Sequence, residues 1–460
     1  MNRTIGAAGL KAAYAYLNKN PEKNIPKLLR WVDKYDKKNL HLKKRVAVRR
    51  AVEEKDNWYR LLLSLWDDID PGVRKAFFNN FVVNNLVVNW ERQINLRKEH
   101  GCNIPMALLM DPTSACNLHC TGCWAAEYGH NLSLSLDTLD DIVRQGKELG
   151  VRLFLFSGGE PLLRKDDIIR LCEKHGDCLF AAFTNGTLIN EAFAAEMLRV
   201  KNFIPILSIE GFEEETDARR GAGTYKAVVS AMDLLREKKL LFGASCCYTR
   251  RNTETIGSEA FFTELVKLGV KFAWFFTYIP VGADAVPELM VTAEQRAFMY
   301  RQIGLFRRSL PLAPLDFWND GELVNGCIAG GRKYLHINAA GDIEPCAFVH
   351  YADRNIRDTS LLDALKSPLF MEYCRNQPFN ENLLRPCPLL DNPERLAAMV
   401  DASGARSTDF LHAEDVHQLC AKCGDTAASW ARTAAGIWRE KQGCQSCAAC
   451  AAPPPKAAGE

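Results

Sequence analysis

Cys116, Cys120 and Cys123, in the string DPTSACNLHCTGCW, place three thiols within one short loop. Soft thiolate is the ligand that iron–sulfur clusters select, and a C-x3-C-x2-C loop can hold only three of the four irons of a [4Fe–4S] cube. The fourth iron would stay open to a substrate or cofactor. Gly158-Gly159-Glu160-Pro161 follows, past one helix-like and one strand-like segment, and paired glycines let a backbone approach a ligand closely. Taken alone, the triplet also reads as a zinc site or as buried thiols.

The later cysteines form two further sets. Cys327, then Gly341 and Cys346 in GDIEPC, with Cys374 and Cys387 downstream, gives up to four ligands for one auxiliary cluster; buried free thiols are the alternative. Cys420-x2-Cys423 and, twenty residues on, Cys444-x2-Cys447-x2-Cys450 suit zinc or a further cluster, although a helical-looking segment between them argues against a zinc ribbon; an unstructured, nonessential tail is the alternative. Cys172, Cys178, Cys246 and Cys247 sit in core-like segments and read as small apolar residues.

Elements that would position these residues follow from periodicity. Residues 1–104 show apolar positions at helical spacing (Leu28, Leu29, Val32; Leu61, Leu62, Leu65) and predict an N-terminal helical region. From Pro105, short apolar runs alternate with amphipathic segments, the pattern of β/α units on a parallel sheet. Candidate strands are Met106–Met110, Leu153–Phe156, Leu179–Phe183, Ile204–Ile209, Phe242–Cys247 and Phe272–Tyr278. Ser135, Asp166 and Thr224 read as helix starts between them. The fold class is therefore α/β: a partial (β/α)6 TIM-like barrel over 105–309, whose functional loops belong at the strands' C-terminal ends. A small cysteine-rich α+β domain is expected over 310–400, opening with strand, turn and strand at Tyr334–Phe348. Residues 401–460 read as an Ala- and Cys-rich extension with two Trp-bearing helical stretches, ending in AAPPPKAAGE, a disordered tail by composition.

Composition narrows the setting. A chain of 460 residues with 47% hydrophobic and 25% charged residues is ordinary for a globular protein of two or three domains, and a formal net charge of +2 implies no nucleic-acid partner. Seventeen cysteines in short-range clusters fit a reducing cytoplasm better than a secreted disulfide scaffold. No signal peptide or membrane span is evident. Lys23 to Arg60 is rich in Lys and Arg interleaved with Trp31, Tyr35 and Trp58; it reads as solvated helix faces covering the barrel, with contact to an anionic membrane as the alternative.

The triplet paired with GGEP resembles the radical S-adenosylmethionine (SAM) superfamily. Ser208-Ile209-Glu210-Gly211 and Asp217-Ala218-Arg219-Arg220-Gly221 resemble the S-[IL]-D-G and H-D-x-x-R-G strings of its SPASM-type members, and Cys327 to Cys346 resembles the C-x9–15-G-x4-C opening of SPASM or twitch auxiliary domains. The resemblance implies that Cys116, Cys120 and Cys123 hold a [4Fe–4S] cluster whose open iron takes SAM. Reductive cleavage would then give a 5′-deoxyadenosyl radical that abstracts hydrogen from a substrate. It further implies that Gly158, Gly159, Glu160, Pro161 and Asn185 line the SAM site, Ser208 contacts the ribose, and Arg220 pairs with the SAM carboxylate. Cys327, Cys346, Cys387 and Cys374 would hold the auxiliary cluster, and a flavodoxin- or ferredoxin-like protein would supply low-potential electrons. The chain departs from the family at Gly122, where an aromatic residue is common and Trp124 follows instead, at Glu210, where Asp is commoner, and at Thr216, where the motif has His.

Peptide-modifying members often begin with a strand-containing leader-binding domain, and none is evident, so a lipid, isoprenoid or other small molecule is expected as substrate over a peptide. CTGCWAAEYG, HINAAGDIEPCAF and RPCP also resemble a group of prokaryotic radical SAM proteins distantly related to enzymes acting on hopanoid or tetraether lipids. The rival reading is a multi-cluster iron–sulfur electron carrier or scaffold that does not cleave SAM. The ordered series of SAM-contact residues favours the enzyme.

Overall fold

The computed structural model describes residues 3–35, 42–282 and 285–446. The strands of its main sheet are β1 (Ala107–Met110), β2 (Leu153–Phe156), β3 (Leu179–Thr184), β4 (Phe203–Ser208), β5 (Gly243–Tyr248), β6 (Phe272–Thr277), β7 (Ala313–Asp316), β8 (Tyr334–Ile337) and β9 (Ile343–Glu344). They form one open sheet in the order β7-β6-β5-β4-β3-β2-β1-β8-β9. Every pairing is parallel except that of β8 with β9. Helices cross between the parallel strands as right-handed β/α connections require. Their starts carry the polar caps read from the sequence; Ser135 Oγ, for instance, accepts the Thr138 N–H at 3.1 Å. On the helix side of the sheet Phe154, Phe156 and Phe180 stack at 5.6 and 6.0 Å and are fully buried.

The six strands expected from periodicity form, each within about two residues of its predicted bounds. Three more, β7, β8 and β9, extend the sheet. β7 adds beyond β6, and β8 pairs in parallel with β1, aligning Leu109 with His336. The strand–turn–strand read at Tyr334–Phe348 is thus a hairpin bonded directly onto the barrel. Beyond it, the two expected Trp-bearing stretches are one continuous helix, Val416–Ser446. Trp430 anchors that helix: it is buried, donates Nε1–H to the Leu384 carbonyl at 2.8 Å and stacks under Arg296 at 4.3 Å. Cys447, Cys450 and the AAPPPKAAGE tail lie outside the described residues, as does the side chain of Cys444.

The N-terminal region is helical as expected, with one departure, a π-helix over Phe78–Val88. Its Asn and Gln side chains satisfy backbone groups where the chain enters the strands. Asn80 Nδ2 donates to the Gly176 and Cys178 carbonyls ahead of β3, Asn85 Oδ1 accepts from the Arg152 N–H ahead of β2, and Gln93 Nε2 donates to the Pro105 carbonyl ahead of β1. Asp70 N–H donates to the Lys239 carbonyl ahead of β5, and Lys271, ahead of β6, bonds Ser64 at 3.0 Å. These helices therefore cover the N-terminal ends of the strands. The motif-bearing loops lie at the other end.

Candidate active site at the mouth of the barrel

The cysteine loop follows β1 and is clamped by the loops after three other strands. Gly159 N–H donates to the Thr113 carbonyl at 3.1 Å and Glu160 N–H to the Ala115 carbonyl at 2.8 Å, which fixes the loop after β2. A Cβ on Gly158 would lie 2.5 Å from the Thr113 oxygen, and one on Gly159 would collide with the Ala115 carbonyl. Both glycines are thus needed for backbone-to-backbone approach to the cysteine loop itself. From the loop after β3, Asn185 Nδ2 donates to Asn117 Oδ1 at 2.8 Å. Past β4, the Arg219 carbonyl accepts the Thr121 N–H at 2.9 Å. Cys116, Cys120 and Cys123 are so held on one partly accessible loop by every neighbouring motif.

Glu160 and Pro161 play supporting parts. The Glu160 carboxylate is buried and accepts from the Leu162 N–H, the Thr184 hydroxyl and the Asn185 N–H at 2.9, 2.7 and 2.8 Å. Burial raises its pKa against the pull of those donors. It ties the β2 and β3 loops together, and Pro161 opens the short 3-10 turn that follows. Ser208 is buried at the end of β4 in register with Ser245.

Two arginines stand beside the thiols. Arg219 Nη1 and Arg220 Nε reach Glu210 Oε1 at 2.7 and 2.8 Å, and Arg220 Nη1 lies 3.9 Å from Cys120 Sγ. Burial pushes the Glu210 carboxyl up, but the two guanidiniums outweigh it and hold its pKa below the usual range. The longer Glu in place of Asp thus serves two cations. Thr216, where the family string has His, accepts the Glu210 N–H on its hydroxyl at 3.1 Å and is fully buried. The space beside Gly122 is taken by Tyr278, whose ring would lie 2.6 Å from a Cβ there. Trp124 turns the other way, packing on His336 and Phe348, each at 5.7 Å.

These residues fit an open-site cluster with SAM. Burial, Glu160 and the neighbouring sulfurs push Cys116 up to about 11, and burial with Cys120 raises Cys123, so these two thiols hold protons until a metal displaces them. Beside them the buried Arg219 Nε has no hydrogen-bond partner. A spare cationic donor next to three thiols suits a carboxylate-bearing ligand on the open iron.

The auxiliary cysteines divide unexpectedly. Cys327, Cys346 and Cys387 line one apolar cavity with Phe317, Trp318, Phe348 and Tyr373. Cys374 is elsewhere, influencing Cys102 and Arg97 rather than the other three. It lies next to Tyr373 on the helix Pro368–Asn376, and only Tyr373 lines the cavity. Cys420 and Cys423, on the C-terminal helix, are both buried and within electrostatic reach of Cys387. Burial raises all five of these cavity-side thiols, Cys346 and Cys420 to about 12 and Cys387 to about 11. Cys172, Cys178 and Cys246 are buried core thiols as read, whereas Cys247 is half-buried and near enough to Cys123 and the two arginines to be affected by them.

A buried polar node joins the two cysteine sets, and sequence reading missed it. His336, fully buried, has Nδ1 at 2.6 Å from Glu344 Oε2 and Nε2 at 2.9 Å from Asp111 Oδ2, the second a charge contact rather than an aligned hydrogen bond. Burial alone would lower its pKa, but the two carboxylates outweigh burial and raise it to about 10. Tyr128 donates to Glu344 at 2.8 Å and stacks on His350 at 4.5 Å. Asp111 follows β1 and accepts from Ser157 Oγ at 2.7 Å; Glu344 stands two residues before Cys346. The HIN and GDIE strings held these residues, but only the parallel β1–β8 pairing brings Asp111 and His336 together.

Residues 110–248 match the family model of the radical SAM superfamily. This stretch of the chain is a radical SAM domain. The chain is similar to the AdoMet-dependent heme synthase of Oleidesulfovibrio alaskensis, 24% identical over 60% of this chain and 78% of that protein. It is also similar to mycofactocin maturase MftC of Mycobacterium ulcerans, 28% identical over 63% of this chain and 79% of that one. Among solved structures, Streptococcus suis SuiB bound to precursor peptide SuiA shares the fold with a TM-score of 0.53, at 19% identity over 65% of this chain and 74% of that chain. The protein is thus a radical SAM enzyme, and that family uses a [4Fe–4S] cluster and SAM. Among the described residues no helix is long and apolar enough to cross a membrane.

Proposed function

We propose that Cys116, Cys120 and Cys123 hold the SAM-binding cluster and that the enzyme abstracts a hydrogen atom from an organic substrate at the mouth of the barrel. Bound there, cluster and SAM supply reductive cleavage of the sulfonium to a 5′-deoxyadenosyl radical. The observation that carries the assignment is the clamp: loops after β2, β3 and β4 all bond the backbone or Asn117 of the cysteine loop. In this reading the Gly158–Gly159 backbone fixes the loop, Arg220 and the spare Arg219 donor orient the SAM carboxylate, and Ser208 and Asn185 border the nucleoside. A flavodoxin- or ferredoxin-type protein is the proposed electron source.

For the auxiliary cluster we propose Cys327, Cys346 and Cys387 with a fourth thiolate from the Cys420–Cys423 turn of the C-terminal helix. Cys374 is left out on position. Iron and sulfide counts on the anaerobically reconstituted protein test this assignment. About eight irons per chain are expected; Cys374→Ala should keep all of them, and the Cys420→Ala/Cys423→Ala pair should lose about half. Equal loss in both proteins would contradict the ligand set.

On substrate, the preference for a lipid or small molecule over a peptide draws no support from the relatives, whose names include a peptide cyclase as well as heme synthases. SuiB, captured with a precursor peptide, shares the fold. What supports a reading here is the barrel interior of this chain.

A further inference from the structure

The lumen of the barrel is open and aromatic. On β3, β5 and β6 alternate residues face opposite sides. Phe180, Cys246 and Phe275 on the helix side are fully buried. On the opposite side Leu179, Ala181 and Gly243, at the starts of β3 and β5, are buried, whereas Phe183, Ser245, Cys247, Phe272, Trp274 and Phe276 are only half-buried. A closed barrel fills its interior with side chains; this one leaves them accessible, in a sheet whose edges at β7 and β9 do not meet.

The exposed faces belong to rings in contact. Phe183 and Trp274 are 5.1 Å apart, Phe183 and Phe276 5.8 Å, and Phe276 and Phe348 6.2 Å. Phe348 meets Trp124, the residue directly after Cys123, at 5.7 Å. The wall therefore runs from the cluster loop down into the lumen. None of the six inward residues is Asp, Glu, Lys, Arg or His; at the rim Arg219 and Arg220 pair with Glu210, which leaves Arg219 Nε as the spare donor beside the cysteine loop, and behind Trp124 the His336 imidazole is taken up by Asp111 and Glu344. An anionic or cationic group placed on this wall would lose its hydration without a partner, which is costly. An aromatic or hydrocarbon group would gain ring contacts and shed water.

Resting on the proposed function above, we infer that the Phe183–Trp274–Phe276 wall binds the uncharged aromatic or unsaturated hydrocarbon group of the substrate that is presented to the radical. That group could belong to a free molecule or to a side chain of a peptide; the chemistry that recognises it is the same.

The test uses the reconstituted holoenzyme without reductant, so that binding is read apart from SAM cleavage. The neutral fluorophore N-phenyl-1-naphthylamine is the probe, with farnesol, N-acetyl-tyrosinamide and citrate as competitors. Wild type should bind the probe, Trp274→Ala and Phe276→Ala should each weaken binding at least tenfold at unchanged iron content, and Trp274→Phe should restore most of it. Displacement by farnesol points to a free isoprenoid and displacement by N-acetyl-tyrosinamide to an aromatic side chain; either supports the inference. Unchanged binding in both alanine variants, displacement by neither neutral competitor, or displacement by citrate as strong as by the neutral ones overturns it. Should the wall fail while 5′-deoxyadenosine is still formed on reduction, the assignment of the cluster loop stands and only the substrate class falls.

Discussion

Gly159 is the residue on which the clamp depends most. Its missing Cβ is the space through which the loop after β2 reaches the Ala115 carbonyl, and the obstruction would be backbone, which cannot swing aside as a side-chain tip can. Gly159→Ala should therefore cost the core cluster while sparing the auxiliary one. Iron should fall by about half, and the residual cluster should no longer change its electron paramagnetic spectrum on addition of SAM. The need for close approach was legible in GGEP; its object was not, because the string does not say whether ligand or cysteine loop lies opposite. The same limit applies at Cys374. Spacing treats every downstream cysteine alike, whereas the helix Pro368–Asn376 turns Tyr373, and not Cys374, to the cavity.

At the scale of elements, the segment carrying Cys387 is set by a buried ion pair. Arg296, on the helix Ala293–Ser309, lies 2.5 Å from Asp391, and Asp391 accepts the Cys387 N–H at 3.0 Å; both charged side chains are at most 2% exposed. Breaking such a pair strands a buried charge, at a cost of about 3–5 kcal/mol. Arg296→Ala should lower the melting temperature and release auxiliary iron together, while loss of the exposed Lys226–Glu213 pair should change neither. Neither half of the pair was legible, since Arg296 and Asp391 are ninety-five residues apart. The six alternating β/α units were legible, because each strand is a short apolar run between helix punctuation. β7 was not: it carries Pro314 and its Leu315 is exposed, so it lacks a buried strand's composition. β8 was read as a hairpin arm, and its parallel partner β1 is too distant in sequence to leave a local signal.

For the whole molecule, the organisation is a barrel with a covered base and a working mouth. The basic helices Pro21–Tyr35 and Leu42–Glu54 pack on the helix Asn57–Asp68, whose Asn57 donates to the Leu310 carbonyl ahead of β7 and whose Ser64 meets Lys271 ahead of β6, so they lie on the covered base, at the opposite end of the strands from the cysteine loop. The mouth is joined to the auxiliary part through His336. Its pKa of about 10, against an ordinary value near 6.5, means the imidazolium contributes stability that is full below pH 6.5 and is lost as pH rises through about 10. The melting temperature of the holoenzyme should fall between pH 7 and 10, and His336→Gln should be less stable at pH 7 with a flatter profile. Parallel profiles for the two proteins would remove His336 from this role. The central claim, that the triplet at Cys116, Cys120 and Cys123 makes the radical, rests on one product. After anaerobic reconstitution and reduction with dithionite in the presence of SAM, chromatography should show 5′-deoxyadenosine from wild type and none from Cys123→Ala. No product from fully loaded wild type, or equal product from the variant, would contradict the account.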